Sequence, residues 1–416
     1  MKSNLILLVL VIVFFACQPE KPNVANMNDD ELKAYSKELA DKFILTDGHV
    51  DLPYRLKERG WKVDDEIIGE AGVKPVGDMD VMRAKQGGLD APFMSIYIPA
   101  SYQKKDEKGN LMGGGKALAD SLINMVEQIA ARYPNQYALA KTPADIEANT
   151  KAGKISLPMG MENGAPVEKD LTNLKYFFDR GIRYITLTHG KDNQICDSSY
   201  DTLGTWGGLS PFGEEVVREM NRLGIMVDVS HIDDSTFYDI MKITNVPAIA
   251  SHSSCRHFTP GWQRNMNDDM IKALAKKGGV IQINFGASFL DSAMRGNNRV
   301  DSVRKQIKDK GLLSRDDEAQ AIIAQYGKHK DFFSDVERVA DHIDHVKNIA
   351  GIDHVGLGSD FDGVGDSLPE GLKDVSMYPN LIYVLLKRGY TEDDIQKICS
   401  GNVFRVWNKV IEASSK

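Results

Sequence analysis

The sequence predicts a (β/α)8 barrel, the closed α/β fold of eight parallel strands that alternate with helices. Eight short segments rich in β-branched and apolar residues are spread along the chain, and stretches with helical periodicity lie between most of them. In addition, histidines and carboxylates follow several of these segments directly, at the end of the strand where such barrels build their sites.

The eight predicted strands cover 44–50, 92–98, 155–161, 183–188, 225–230, 246–251, 279–285 and 354–359. Helical periodicity is clear in 212–224, and Gly224 stands where that helix is expected to stop. Two long segments, 100–118 and 286–334, interrupt the alternation, each after a predicted strand. We expect them to form walls or lids over the barrel mouth, or else surface elaborations without a role there.

The composition is that of a globular protein, with 42% hydrophobic and 26% charged residues in 416. A chain of this length could hold two or three domains, but a barrel accommodates it in one. The net charge of -8 and the lack of a basic block argue against nucleic acid or an anionic membrane surface as the main partner. Cys196, Cys255 and Cys399 form no metal-binding motif, and their odd number argues against a disulfide framework.

The N-terminus has the layout of a secretory signal, with Lys2, an apolar stretch and then "FFAC" ending at Cys17. This ending resembles a bacterial lipobox, so we expect lipidation of Cys17 and a protein anchored to a membrane of the cell envelope without spanning it. An ordinary cleaved signal peptide with a chance cysteine is the alternative. The predicted organisation is a signal peptide over 1–17, a tether and lead-in over 18–40, and one barrel domain over 41–416.

Seven histidines and carboxylates stand at the C-terminal ends of six predicted strands. They are His49 and Asp51 after the first strand, Glu162 after the third, His189 after the fourth, His231 after the fifth, His252 after the sixth and Asp360 after the eighth. Such clustering is unexpected of ordinary core groups, because buried imidazoles and carboxylates must each be paired. Imidazole nitrogens and carboxylate oxygens suit zinc and similar ions, so the pattern predicts a metal site.

All of these residues except His189 are candidate ligands, and six are too many for one tetrahedral ion. Two ions are the better count, because Glu162 could bridge ions about 3.5–4 Å apart that share a hydroxide. The prediction rests on the six candidate ligands taken together, because a single H-x-D pair such as His49 and Asp51 often occurs by chance. Small residues stand two positions before several ligands and are expected to leave room for the ions: Gly160, Ala250 and Gly358.

Other polar residues are expected to have structural roles or to face solvent. Asp47 lies on the face of His49 but deeper in the barrel, where it is expected to support the ligands. Asp233 is expected to cap the following helix. In a helix within 335–351, His345 is expected to lie opposite the apolar stripe and His342 at its margin, both in contact with solvent.

A series of motifs, in order from about residue 43 to residue 412, resembles the membrane dipeptidase family, also called renal dipeptidase. They include "DGHVDLP", "GMENG", "RYITLTH", "GLSPFGEEVVREMNRLGIMVDVSH", "ASHSS", "RNMNDDM", "VADHIDHVKNIAGIDHVGLGSDFDGV" and "GNVFRVW". The family consists of zinc peptidases whose barrel is of the metal-dependent amidohydrolase kind. The resemblance therefore implies a binuclear zinc dipeptidase on a (β/α)8 barrel.

The resemblance also implies roles for individual residues. His49 and Asp51 would bind one zinc, and His231 and His252 the other. Glu162 would bridge the ions, and Asp360 would contact the substrate and transfer protons. His189 would bind the substrate and stabilise the developing oxyanion, and Arg264 would bind the substrate. Arg256 lies nearer to His252 in sequence, but "RNMNDDM" fits the family motif better at Arg264. After "QINF" the chain reads "GASF", where relatives tend to carry a tyrosine, so the pocket is expected to differ there.

The implied activity is hydrolysis of dipeptides, with tolerance of a D-residue on the C-terminal side and, by analogy, possible homodimers. A metal-dependent amidohydrolase acting on another small amide, such as an N-acyl amino acid or a lactam, is the first alternative. A surface lipoprotein that binds peptides without cleaving them is the second. That interpretation predicts a lost ligand, and none of the six is lost.

Overall fold

The computed structural model describes residues 24–61, 63, 67–69, 76–314 and 316–414. The predicted signal peptide and Cys17 lie outside these ranges. Among the described residues, no helix combines the length and the apolar character that crossing a membrane requires.

Eight parallel strands form one sheet in chain order, which confirms the predicted barrel. They are β1 (Leu45–Val50), β2 (Leu89–Tyr97), β3 (Met159–Glu162), β4 (Ile182–Thr186), β5 (Met226–Asp228), β6 (Ile249–Ala250), β7 (Val280–Ile283) and β8 (Val355–Leu357). The ends of β1 and β8 meet where the Asp360 N–H donates to the His49 carbonyl at 3.1 Å and the Asp51 N–H donates to the Phe361 carbonyl at 2.9 Å. The C-terminal ends of all eight strands therefore surround one mouth.

The third predicted strand, 155–161, is two strands in the structure. Ile155–Leu157 pairs with Tyr137–Leu139 outside the barrel, and only Met159–Glu162 joins the barrel as β3. Pro158 lies between them, has no N–H to donate, and accepts instead from the Met94 N–H at 2.8 Å. Because the break precedes β3, it leaves Glu162 at the C-terminal end of a barrel strand.

The helices surround the barrel. They are α1 (Asp29–Lys42), α2 (Leu52–Glu58), α3 (Val81–Gly87), α4 (Lys116–Arg132), α5 (Pro143–Lys151), α6 (Thr172–Asp179), α7 (Pro211–Leu223), α8 (Asp234–Ile243), α9 (Asp268–Lys276), α10 (Ala287–Leu290), α11 (Asn298–Asp309), α12 (Asp317–Tyr326), α13 (Val336–Ala350), α14 (Tyr378–Lys387), α15 (Glu392–Gln396) and α16 (Asn402–Ser414). Asp233 caps α8 through the Thr236 N–H, as predicted. Gly224 ends α7 with a φ of 84°, a left-handed conformation that glycine adopts at little cost.

Helix α1 occupies much of the segment interpreted from sequence as a tether and lead-in. Asn28 and Glu31 form a capping box at its start, and Leu32, Tyr35 and Leu39 are buried against the rest of the molecule. The Tyr35 hydroxyl also donates to Glu392 at 2.5 Å. Helix α1 is thus packed against the rest of the described structure.

The segment 286–334, which follows β7, contains α10, α11 and α12 and a separate small core. This core consists of Ala287, Met294, Val300, Val303, Ile307, Ala319, Ile322, Ile323, Phe332 and Phe333. At its beginning, Phe289 packs edge-on against Trp262 and lies under the Arg264 guanidinium, with 5.0 Å between that guanidinium and the ring centre. One end of the segment therefore touches the barrel mouth, and α11 and α12 pack around the small core.

Candidate metal centre

The backbone at the barrel mouth is unusual at three positions. His231, Asp360 and Asn163, the residue after Glu162, have φ values of 68°, 66° and 81°. A left-handed conformation costs a non-glycine residue on the order of 1–3 kcal/mol and is concentrated at functional sites. The turns that follow β3, β5 and β8 are thus strained where they turn side chains into the mouth.

Glu162 lies at the centre of the cluster and divides its two oxygens between two groups. Its Oε2 lies 3.3 Å from His49 Nε2. Its Oε1 lies 3.1 Å from His231 Nε2, 3.5 Å from His252 Nε2 and 3.5 Å from His189 Nε2. The Nε2 atoms of His231 and His252 are themselves 2.8 Å apart. The carboxylate thus connects an imidazole from β1 with imidazoles from β4, β5 and β6.

Two further carboxylates lie beside His49. Asp51 Oδ2 is 3.5 Å from His49 Nε2, and the candidate ligand atoms of His49, Asp51 and Asp360 all lie within 4.8 Å of one another. Asn284 orients Asp360 by donating to its Oδ2 at 2.7 Å. Burial, reinforced by the charges of Asp51 and Glu162, raises the pKa of Asp360 to about 7.

The imidazoles have different electrostatic environments. Burial holds the pKa of His231 and the pKa of His252 well below the ordinary histidine value, so both rings are neutral, as metal ligands must be. Burial also disfavours a charged His49, but the Tyr184 hydroxyl and the carboxylates of Glu162 and Asp51 raise the pKa of His49 well above its ordinary value. The groups around His49 therefore favour a positive charge at this position.

The same carboxylate–imidazole contacts keep Glu162 ionised. Burial opposes its charge, but the imidazoles of His49 and His189 and the hydrogen bonds from His231 and His252 hold the pKa of Glu162 well below the ordinary value.

The donor set fits zinc. Two ligand atoms on one tetrahedral zinc ion, each about 2.0–2.2 Å from it, lie about 3.3 Å apart, which matches the 3.1–3.5 Å contacts that Glu162 makes. His49 Nε2 and Asp51 Oδ1 are buried and have no hydrogen-bond partner in the described part of the chain. Buried polar atoms of this kind call for a ligand.

The structure also brings the two predicted substrate-binding residues to the mouth. His189 is a quarter exposed, its ring centre lies 4.8 Å from that of Tyr97, and burial lowers its pKa. Arg264 is buried and donates to the Ser253 hydroxyl at 2.7 Å and to the His252 carbonyl at 2.8 Å. Arg256 is instead paired with Asp234 at 2.5 Å, so of the two arginines it is Arg264 that bonds the backbone of a candidate ligand, His252.

Two expectations about space and exposure are wrong. A Cβ on Gly160 would lie 1.9 Å from the Tyr184 ring, so this glycine makes room for a tyrosine rather than for ions. His342 is fully buried, and both of its ring nitrogens are bonded to backbone groups. His345 is mostly buried and lies 2.8 Å from Asp268. The helical pattern missed these contacts because Phe258 and its neighbours cover this side of α13.

Buried polar residues hold the candidate ligands in place, and the sequence predicts only one of them. Asp47 was expected to support the ligands, and it accepts from the backbone N–H of His49 at 2.9 Å. The residues missed are Tyr184, which bonds His49, Ser251, which bonds His252, Asp228, which bonds Ser251, and Asn284, which bonds Asp360. Each is a polar residue inside or just after an otherwise apolar strand, and this signal could have identified them.

Comparisons with known proteins agree with the geometry. The family model for membrane dipeptidase (peptidase family M19) matches residues 33–416. An uncharacterized dipeptidase of Schizosaccharomyces pombe is 32% identical over 370 residues, which cover 88% of this chain and 80% of that protein. The structure of a probable dipeptidase of Pseudomonas aeruginosa superposes with a TM-score of 0.73 at 23% identity, covering 92% of this chain and 99% of that one.

A metallo peptidase of Rhodobacter sphaeroides, solved with a phosphinate mimic of the dipeptide L-Ala-D-Ala, is similar in fold. It superposes with a TM-score of 0.70 at 23% identity and covers 88% of this chain and 99% of that one.

Proposed function

We propose a mechanism for this chain, which belongs to the membrane dipeptidase family (peptidase family M19) and is therefore a metallo-dipeptidase. In our proposal two zinc ions bind at the barrel mouth. His49 and Asp51 hold one ion, His231 and His252 hold the other, and Glu162 bridges them. The substrate is a dipeptide whose single peptide bond is hydrolysed.

The strongest support for this proposal is the position of the Glu162 carboxylate. Glu162 turns Oε2 towards His49 and Oε1 towards His231 and His252, with contacts of 3.1–3.5 Å. A buried carboxylate whose two oxygens face two separate ligand groups is suited to bridging two ions.

When bound, the two zinc ions would polarise the peptide carbonyl and supply a hydroxide nucleophile at neutral pH. Asp360 accepts a proton from the attacking water and returns it to the leaving amine. Burial and the neighbouring carboxylates raise the pKa of Asp360 to about 7, and a group that both accepts and donates a proton works best when its pKa is near the operating pH.

His189 and Arg264 bind the substrate in this proposal. Because burial lowers the pKa of His189, its ring is neutral and can donate one N–H to the oxygen that becomes negative in the transition state. Arg264 is held by Ser253 and by the His252 carbonyl, and its buried Nε has no hydrogen-bond partner within the described ranges. Its planar guanidinium suits the C-terminal carboxylate of a dipeptide, and such a clamp excludes longer peptides.

The test is a substrate panel on zinc-loaded protein that lacks residues 1–17. It contains matched dipeptides with L- and D-residues at the C-terminal position, because the Rhodobacter sphaeroides metallo peptidase is described with an L-Ala-D-Ala mimic. Tripeptides and N-acyl amino acids complete the panel. We expect dipeptides to be cleaved, tripeptides to be resistant, and a chelator to abolish activity that zinc restores.

Cleavage of N-acyl amino acids in preference to dipeptides would instead favour the amidohydrolase alternative. Less than one zinc per chain, with no hydrolysis after zinc addition, would overturn the enzyme assignment itself.

We propose further that Cys17 carries a lipid that anchors the protein to a membrane of the cell envelope. The support is the sequence "FFAC" after a short apolar stretch. In cells given a labelled fatty acid, the full-length protein is expected to take up label and to sediment with membranes. Cys17→Ala is expected to abolish both, and labelling of the variant would contradict the assignment.

A further inference from the structure

Asp228, at the end of β5, is a fully buried carboxylate that none of the roles above uses. Its Oδ1 accepts from the backbone N–H groups of Ser230 at 3.0 Å and Ser251 at 2.8 Å. Its Oδ2 accepts from the hydroxyls of Thr186 at 2.5 Å and Ser251 at 2.6 Å. One side chain thus joins the ends of β4, β5 and β6, two of which lead directly to His231 and His252.

The second contact of Ser251 connects this carboxylate to a candidate ligand. The Ser251 hydroxyl oxygen lies 2.7 Å from His252 Nδ1. Asp228 accepts at both oxygens, from two backbone N–H groups at Oδ1 and from the Thr186 hydroxyl at Oδ2, and Ser251 donates its single hydroxyl proton to the same Oδ2. The hydroxyl oxygen can then only accept from His252, which requires the proton of that neutral ring to be on Nδ1. His252 Nε2 is left with a free lone pair, directed towards Glu162 and His231.

His49 is oriented differently. The Tyr184 hydroxyl lies 2.9 Å from His49 Nδ1 and 3.0 Å from the Gly48 carbonyl, to which it donates. A neutral phenol thus supports the imidazole of one ligand group, and a buried carboxylate acting through Ser251 supports that of the other.

We infer that Asp228 and Ser251 are positioning residues that set the tautomer of His252 and so the zinc affinity of the site formed by His231 and His252. The inference rests on the proposed two-zinc function. It assigns no contact with the substrate to either residue. Supporting groups of this kind typically change metal affinity about 10–100-fold when they are lost.

The decisive variant is Asp228→Asn, because it nearly preserves shape while reversing the direction of the hydrogen bonds. The backbone N–H groups of Ser230 and Ser251 require an acceptor, so the amide oxygen takes the place of Oδ1 and the NH2 group faces the hydroxyls. The Ser251 hydroxyl then accepts from this NH2 group and donates its own proton to His252 Nδ1. The ring proton moves to Nε2, the atom that must bind metal.

Two measurements test this without relying on activity. In metal-free protein labelled with 15N-histidine, NMR is expected to show His252 protonated at Nδ1 in the native chain and at Nε2 in Asp228→Asn. At limiting free zinc, the native chain is expected to retain two ions, and Asp228→Asn only one, with about 10–100-fold weaker binding of the second. Ser251→Ala removes the constraint without reversing it, so its loss is expected to be smaller.

Thr186→Val is the matched control, since it removes the other hydroxyl on Asp228 Oδ2 without touching His252. It is expected to keep the Nδ1–H tautomer and two zinc ions. Thermal unfolding of each variant separates lost zinc affinity from lost folding, and Ser251→Ala carries the test if Asp228→Asn does not fold.

The inference is overturned if native His252 is protonated at Nε2, or if Asp228→Asn and Ser251→Ala bind both ions as tightly as Thr186→Val does. A native chain that binds no zinc and cleaves no dipeptide would instead overturn the proposed function. The NMR measurement on metal-free protein would still test the tautomer of His252 independently.

Discussion

His252 at the barrel mouth and His342 on α13 are both buried imidazoles, but their Nε2 atoms have different surroundings. Burial holds the pKa of His252 well below its ordinary value and lowers the pKa of His342 to about 3. His342 accepts from the Cys255 N–H at 3.0 Å through Nδ1 and donates to the Leu290 carbonyl at 3.0 Å through Nε2. In His252, Nδ1 bonds Ser251, whereas Nε2 faces other candidate ligands.

Burial and a shifted pKa therefore do not by themselves identify a ligand. An imidazole whose two nitrogens are both satisfied by the backbone joins two elements of the fold. One whose second nitrogen converges with carboxylates and other imidazoles has a lone pair available for a metal.

Glu162→Gln is expected to have the largest effect, because an amide offers only one oxygen and puts an N–H2 group where the other ligand oxygen stood. Hydrolysis should fall below detection and zinc content should drop below two ions per chain, as measured by elemental analysis. Glu147→Gln, on the exposed face of α5, is the control and should change neither. Undiminished zinc in Glu162→Gln would contradict the bridging role.

Asp360→Asn is expected to separate metal binding from turnover. Asparagine still fills the space beside Asn284 but cannot accept the proton of the attacking water, so kcat should fall about 10²–10⁴-fold. Zinc content should remain close to that of the native chain. Full turnover in this variant would refute proton transfer by Asp360.

Arg264→Lys is expected to weaken substrate recognition with zinc content unchanged. Lysine keeps the charge but loses the planar pair of donors, so kcat/KM for dipeptides should fall about 10–100-fold. A dipeptide amide, which has no C-terminal carboxylate, should show little difference between variant and native protein. Arg256→Lys, at an arginine paired with Asp234, is the matched control.

His342→Gln is expected to affect only stability, by about 1–3 kcal/mol at neutral pH, because a buried pair of hydrogen bonds is rearranged. Burial lowers the pKa of His342 to about 3 in the native protein. At pH values between this pKa and the ordinary histidine pKa, the unfolded chain binds a proton that the native protein does not bind. The free energy of unfolding therefore falls as the pH falls through this range. Glutamine does not titrate. The stability difference between native and variant, both metal-free, should therefore shrink by about 2 kcal/mol between about pH 8 and pH 5.

Denaturant unfolding at the two pH values measures this change. Zinc content of His342→Gln at neutral pH should equal that of the native chain. Loss of zinc would show that the two histidine regions are coupled.

The barrel, the family and the residues that line the mouth could all be predicted from the sequence. Alternation of strands and helices predicts a closed parallel sheet, and residues after strand ends must then meet at one mouth, whatever the loops do. His49, Asp51, Glu162, His231 and His252 could be named because of that geometric rule.

Which atoms face one another could not be predicted from the sequence, because it depends on how the strands and loops pack. The tautomer of His252 depends on Asp228, at the end of β5, and on Ser251, just after β6. The space beside Gly160 is filled by Tyr184 from the neighbouring strand. The burial of His342 depends in the same way on a loop 87 residues away in the chain, at Cys255. Periodicity reports which face of one element is apolar, but hydrogen-bond direction and filled space are properties of pairs of elements, so they arise only when the chain is folded.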